Sequence, residues 1–450
     1  MIKSKSENRI EISFKFGVLF FLLLTLLFGR SFMGIYIFSI RVGEYLIAFS
    51  FFLSLFLIFI NKKILLKIDS KIYTNIIFLV FSFLIFTLIN GDSLFNPYVY
   101  KSSMYIWTLS FMFLGYFTLN NMVLKKSFFI LSNLVLFFSY FVYVFIYPQF
   151  LIDFFTKYSD KFDYLKAAEI ILIFVFVIGM NNRFIKSNSK HYYFIIITGI
   201  FIPLFLVMSR GAALGLVCFF TLEMILIRNK IKAEPRKFFI SILIGLFSMI
   251  GSSFLIIENE AVEEEGVGNV VKDILETKNT SVESFFSFYS YENRLYSEDG
   301  NINFRLQIWQ DVINYSYNGN VYLSRIGFTY LDSHRGYEPI IGTSYSDKIP
   351  AMKNPDYQGL DRTNESVHNY IINIYARGGI LHLFSMIFLF YLLINSSKYK
   401  LKKANFISLI LPLLIVSMFD ASMDSPNYPF VFFFFIGTFF SNIESSIYKD

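Results

Sequence analysis

Long apolar runs separated by short polar connections recur along the whole chain. FGVLFFLLLTLLF (16–28) is the plainest, and runs of this kind cannot be covered by a soluble fold. About 17–25 apolar residues suffice to cross a bilayer. Twelve segments meet or approach that length: 12–29, 43–60, 73–90, 102–119, 127–147, 167–180, 192–208, 211–227, 238–257, 369–394, 405–419 and 428–443. Lipid offers no hydrogen bonds to an open backbone, so each segment is expected to be a helix. The expected fold is an all-α polytopic membrane protein of about twelve transmembrane helices. Residues 1–257 would form helices 1–9, residues 258–367 one large, mainly helical extracytoplasmic loop, and residues 368–450 helices 10–12.

Composition removes the alternative of several soluble domains. The 450 residues are 55% hydrophobic, 20% aromatic and only 16% charged. Cys218 is the single cysteine, which excludes an intramolecular disulfide and a cysteine-based metal cluster. No small-residue cleavage site follows residues 14–29, so that run reads as a retained first span.

Lysine and arginine in the connections orient the chain. With all twelve segments spanning, 22 basic residues fall on the side of 61–72, 181–191, 228–237 and 395–404. The short connections of the other side hold seven: Arg30, Arg41, Lys101, Lys157, Lys161, Lys166 and Arg210. Both termini are therefore expected in the cytoplasm, with 258–367 on the outer face. That segment has 9 Lys plus Arg against 18 Asp plus Glu, so the overall +7 is the difference of two opposite balances. The positive charge belongs to cytoplasmic loops and membrane lipids, and gives no reason to expect nucleic acid. ENEAVEEEG (258–266) reads as a solvated acidic linker. NFRLQIWQDVINYSY (303–317) has helical spacing, with Phe304, Ile308, Val312 and Tyr315 in one stripe and Arg305 beside it. It is read as a helix, in the loop's own small core or on the membrane surface.

SVHNYIINIYARGGILHLF (366–384) carries the most chemistry. Ile380–Ile394 alone is 15 residues, too few for about 30 Å of hydrocarbon, so the span is expected to include Arg377, facing protein or water. On an unbroken helix nine residues place His368 and Arg377 on opposite faces. His382 is read as a hydrogen-bonded interhelical histidine. In Ser209-Arg210-Gly211 a helix start follows a helix end with almost no loop, and free N–H groups beside a guanidinium suit a phosphate. A lipid-headgroup anchor is the competing reading of Arg210. Asp420 and Asp424 are read as solvated loop carboxylates.

Arginine grips phosphate oxygens bidentately and histidine accepts a proton near neutral pH. Arg210, Arg305 and Arg377 on one outer face, with His368 at the rim, therefore suit transfer of a glycan from a lipid diphosphate to a sugar hydroxyl. MSRGAALGLV (208–217), RLQIW (305–309), RIGF (325–328) and HNYIINIYARGGILHLF (368–384) together resemble the O-antigen ligase and polymerase superfamily of bacterial membrane enzymes. The resemblance covers roughly residues 200–395 and the overall topology. It implies a metal-independent, inverting glycosyltransferase without cofactor, in the bacterial cytoplasmic membrane, using an undecaprenyl-diphosphate-linked glycan as donor. It gives Arg210 and Arg305 the diphosphate and His368 the acceptor hydroxyl. Ser209, Arg325, Asn369 and Arg377 are accessory candidates. Arg325 and Gly336 fit an Arg-x10-Gly spacing found in some polymerases, and Arg377 stands where many relatives carry an acid. The acceptor would be a lipid-linked repeat (polymerase, favoured by the long loop) or the lipid A core (ligase). Membrane lipids and a chain-length regulator or flippase are the expected partners. A lipid-linked oligosaccharide flippase or other transporter is the alternative class, and a scaffold membrane protein the third. Transporters commonly have two similar halves and midplane charges, which this chain lacks.

Overall fold

The computed structural model describes residues 9–60, 70–120, 122–124, 126–144, 147–185, 189–260, 287–323, 327–331, 333–358, 364–395, 403–441 and 444–445. Arg325, Phe285, Phe286 and most of the acidic 258–266 stretch lie outside them. The chain is an all-α membrane protein. Seven helices among the described residues are long and apolar enough to cross a bilayer, and five apolar helices of 10–17 residues accompany them.

In chain order the helices are α1 (Arg9–Met33), α2 (Val42–Ile60), α3 (Ser70–Ile89), the successive pieces α4 (Pro97–Ser102), α5 (Met104–Trp107) and α6 (Ser110–Leu119), and α7 (Lys126–Val144). Next come α8 (Gln149–Tyr158), α9 (Ala167–Phe184), α10 (Lys190–Met208), α11 (Arg210–Ala233) and α12 (Pro235–Glu260). After these follow α13 (Gly300–Asn318), α14 (Glu338–Ile341), α15 (Tyr370–Asn395), α16 (Lys403–Ser417) and α17 (Asn427–Thr438). The sequence reading passed over α8, a short helix that leaves Phe150 and Phe154 exposed.

α9 and α17 form the centre. Every residue of α17 is buried, as are fifteen consecutive residues of α9. Close helix crossings in lipid require small residues. Gly437 and Gly115 supply them where α17 meets α6: a Cβ on either would strike the other helix's backbone. The lipid-facing perimeter is apolar, with Phe239, Phe247 and Phe254 of α12 exposed.

The described part of the 258–367 segment is mixed rather than mainly helical. α13 forms as the spacing predicts, but two antiparallel hairpins flank it, Phe288–Tyr291 with Arg294–Ser297 and Asn320–Leu323 with Gly327–Tyr330. The α13 stripe does not lie on a membrane surface. Ile308, Val312 and Tyr315 are buried against Ile349, Met352 and Tyr357 in a second core belonging mainly to the segment itself. Inside that core Arg294 pairs with Asp311 at 2.5 Å, and Tyr357 donates to the same carboxylate.

α15 includes Arg377, as span length demanded, but is broken at Gly379 (φ 62°, ψ −165°). The break frees the Ala376 carbonyl, which accepts from Thr343 N (2.8 Å) and Thr343 Oγ1 (2.9 Å). A broken transmembrane helix needs such replacement partners. Residues 338–347 supply them by packing onto the break so closely that a Cβ at Gly379 would strike the Ile340 backbone.

Candidate functional site: a cationic cavity at the end of the bundle

One end of the bundle gathers the connections after α1, α3, α8, α10 and α16 together with 287–369. Between them lies a cavity of about 660 Å³. His368 is in its wall, as are Arg377, Asp420 and Asp424.

His368 precedes α15 instead of starting it. Its backbone is in the left-handed region at φ 51°, a conformation that costs a non-glycine residue energy and persists only where its surroundings impose it. Those surroundings are specific. Ser366 Oγ accepts from the His368 N–H (3.0 Å) and donates to Asp424 (2.5 Å), while Trp309 Nε1 holds the Val367 carbonyl (2.8 Å). The His368 ring meets Phe304 edge-on at 6.2 Å. Among the described residues neither ring nitrogen has a hydrogen bond. Burial, then the charge of Arg305, lower the histidine's pKa below its ordinary value, with Asp420 opposing. At neutral pH the ring is therefore uncharged and able to accept a proton.

Arg305 is on α13, one residue beyond Phe304. Burial lowers its pKa, with Asp420 and Asp299 opposing, yet a guanidinium stays charged in any working range. Arg210 is the first residue of α11, with only Ser209 separating it from α10. It forms an ion pair with Asp299, the residue that caps α13 by accepting from Ile302 N (2.9 Å), and its side chain is 50% exposed. Asp299 thus links the two arginines. The structure brings Arg210, Arg305 and His368 to one end and one neighbourhood.

The accessory candidates divide. Asn369 caps α15, its side chain accepting from Ile372 N at 3.0 Å. Ser209 occupies the N-cap of α11 without a side-chain cap bond. Arg377 shares the cavity wall with His368, contrary to the opposite-face expectation. That expectation assumed a regular helix running through both residues, whereas His368 precedes α15. Arg377 is only 4% exposed and clamps the 343–347 stretch, donating to the carbonyls of Ser344 (2.7 Å) and Asp347 (2.6 Å). Asp424 is not a solvated carboxylate. It is half-buried in the cavity wall, accepts from Ser366 and Asn373, and burial raises its pKa. His382 is the interhelical histidine expected, with Ser82 Oγ at 2.7 Å and Tyr105 Oη at 2.6 Å.

No model of a known protein family matches this chain, and no curated protein matches it. The geometry must speak for itself.

The cavity also has a wall that motif reading missed. Arg30, Arg41, Lys101, Lys161 and Lys166 line it. These are five of the seven basic residues counted on the outer side, a minority that the orientation rule discounts.

Proposed function

We propose that this protein is a membrane glycosyltransferase. It transfers a glycan from an undecaprenyl-diphosphate-linked donor to a sugar hydroxyl at the outer face of the bacterial cytoplasmic membrane. The observation that carries the reading is His368: a neutral imidazole with open ring nitrogens, beside Arg305, in the wall of a cavity large enough for sugars. In this reading the twelve apolar helices cross the membrane, both termini are cytoplasmic, and the cavity end is outside.

The lipid-linked donor enters between helices, and Arg305 and Arg210 hold its diphosphate. His368 takes the proton of the acceptor hydroxyl as that oxygen attacks the anomeric carbon from the face opposite the leaving group. The bond from the anomeric carbon to the diphosphate oxygen breaks. Undecaprenyl diphosphate leaves with the electron pair, its charge held by guanidinium groups, and the configuration inverts. These residues ask for no metal and no cofactor in the step.

Polymerisation of repeat units is the form we favour, because a segment as long as 258–367 suits a long glycan. The glycan profile of a deletion strain tests this. Single repeat units on the surface lipid support a polymerase, whereas long polymer stranded on undecaprenyl diphosphate means a ligase. Repeat units left facing the cytoplasm mean a flippase and overturn the transferase reading.

A further inference from the structure

The proposed base leaves the cavity's cations without a task, since Arg305 and Arg210 are not among the residues lining it. Several of those cations are already bound. Arg41 forks onto Asp160 (2.5 Å for the closest pair), Lys101 meets Glu365 at 2.7 Å, and Lys166 meets Asp163 at 2.8 Å. Arg377 is spent on carbonyls. Two remain. The Arg30 guanidinium has Asp163 4.0 Å away, already on Lys166, while the Arg30 backbone N–H donates to Glu169 at 3.0 Å. Lys161 feels Asp160, but that carboxylate is engaged by Arg41. Burial, then the neighbouring charges of Arg41, Arg30 and Lys101, bring Lys161 down to about 8. The positive potential at this point is therefore built in by three separate stretches of chain.

Four polar atoms of the lining residues, Arg30 Nε, Ser422 Oγ, Ser425 Oγ and Asn427 Oδ1, have no protein partner among the described residues but are themselves shut off from solvent. Ser425 and Asn427 are only 7% and 5% exposed. Whatever fills the cavity meets His368, which makes it the acceptor.

We propose that the cavity seats the acceptor glycan, and that the acceptor sugar lodged there carries an oxyanion, carboxylate or phosphate, held by Arg30 and Lys161. This inference rests on the reading of His368 as the base, and deepens it by naming the acceptor's chemical class.

Titration calorimetry on the full chain in lipid nanodiscs tests it, with glucuronate, glucose 1-phosphate, glucose and inorganic pyrophosphate as probes. Glucuronate or glucose 1-phosphate should bind at least tenfold tighter than glucose. Which of the two binds tighter identifies the oxyanion. Lys161→Gln should abolish the preference and Lys161→Arg should keep it. The wild-type preference should fade as pH rises through about 8, where Lys161 loses its proton, and persist in Lys161→Arg. Equal binding of glucose and both anions, or a preference unchanged in Lys161→Gln and Arg30→Gln, overturns the proposal. Tight pyrophosphate binding that displaces neither sugar anion places the donor elsewhere and supports it. Pyrophosphate binding without any sugar-anion binding makes the cavity the donor's seat and overturns it. The binding assay needs no turnover, so its failure leaves the base assignment to be judged on His368→Ala separately.

Discussion

The surroundings of His382 and of His368 lie fourteen residues apart in the chain and teach opposite lessons. In the bundle interior His382 is 0% exposed, both ring nitrogens are bonded, and its ring stacks on Phe86. Nothing is left for a ligand to use. At the bundle end His368 has its backbone forced into a left-handed turn by Ser366, Asp424 and Trp309, while its ring nitrogens are left open. The first site uses a histidine to join helices. The second invests structure in holding a histidine that itself satisfies nothing, which is the arrangement a proton acceptor requires.

The contrast breaks most sharply on the histidines themselves. His368→Ala should lower glycan transfer by roughly 10²–10⁴, the usual worth of a positioned general base, with the thermal unfolding midpoint unchanged. His382→Ala should do the reverse. It orphans Ser82 and Tyr105 and opens a hole in packed helices, costing about 3 kcal/mol in unfolding measurements, with turnover per folded molecule preserved. Equal effects of the two on turnover would erase the distinction.

Gly379→Ala sharpens the comparison by disturbing the joint between the two regions. A side chain there faces both a positive φ and the Ile340 backbone, so stability should fall by about 2 kcal/mol. Residues 338–347 should become more accessible to protease. Arg305→Lys keeps the charge but loses the planar fork, and should raise the KM for the donor roughly tenfold, about 1.4 kcal/mol. The smallest effect is on pH. The rate requires neutral His368, so it holds above the lowered pKa and falls below it. Asp420 raises that pKa. Asp420→Asn should therefore move the acid limb of the rate profile to lower pH, and Arg305→Gln should move it higher.

Membrane residence was legible because lipid imposes long apolar runs on any chain that spans it, and the termini of most helices fell within a few residues of the hydropathy limits. The placing of Arg210, Arg305 and His368 at one end of the bundle was legible through the alternation of the apolar runs, which leaves all three in connections of the same parity. The break at Gly379 was not, because it depends on residues 338–347 docking from a distance to take the Ala376 carbonyl. Nor were the two hairpins, whose strands are four residues each and have no long apolar alternation. Lys161 escaped notice for a different reason. A lysine in a short loop reads as solvated until Arg30, Arg41 and Lys101, brought together from three other stretches of chain, surround it.

Transfer by purified protein tests the central claim most directly. The full chain in nanodiscs would be given an undecaprenyl-diphosphate-linked repeat unit from its own host, and products followed by mass spectrometry. Wild type should yield lengthened glycan and one free undecaprenyl diphosphate for each bond formed, while His368→Ala, equally folded, should yield neither. Transfer by His368→Ala at the wild-type rate, or no transfer by wild type with authentic donor and acceptor, would contradict the account.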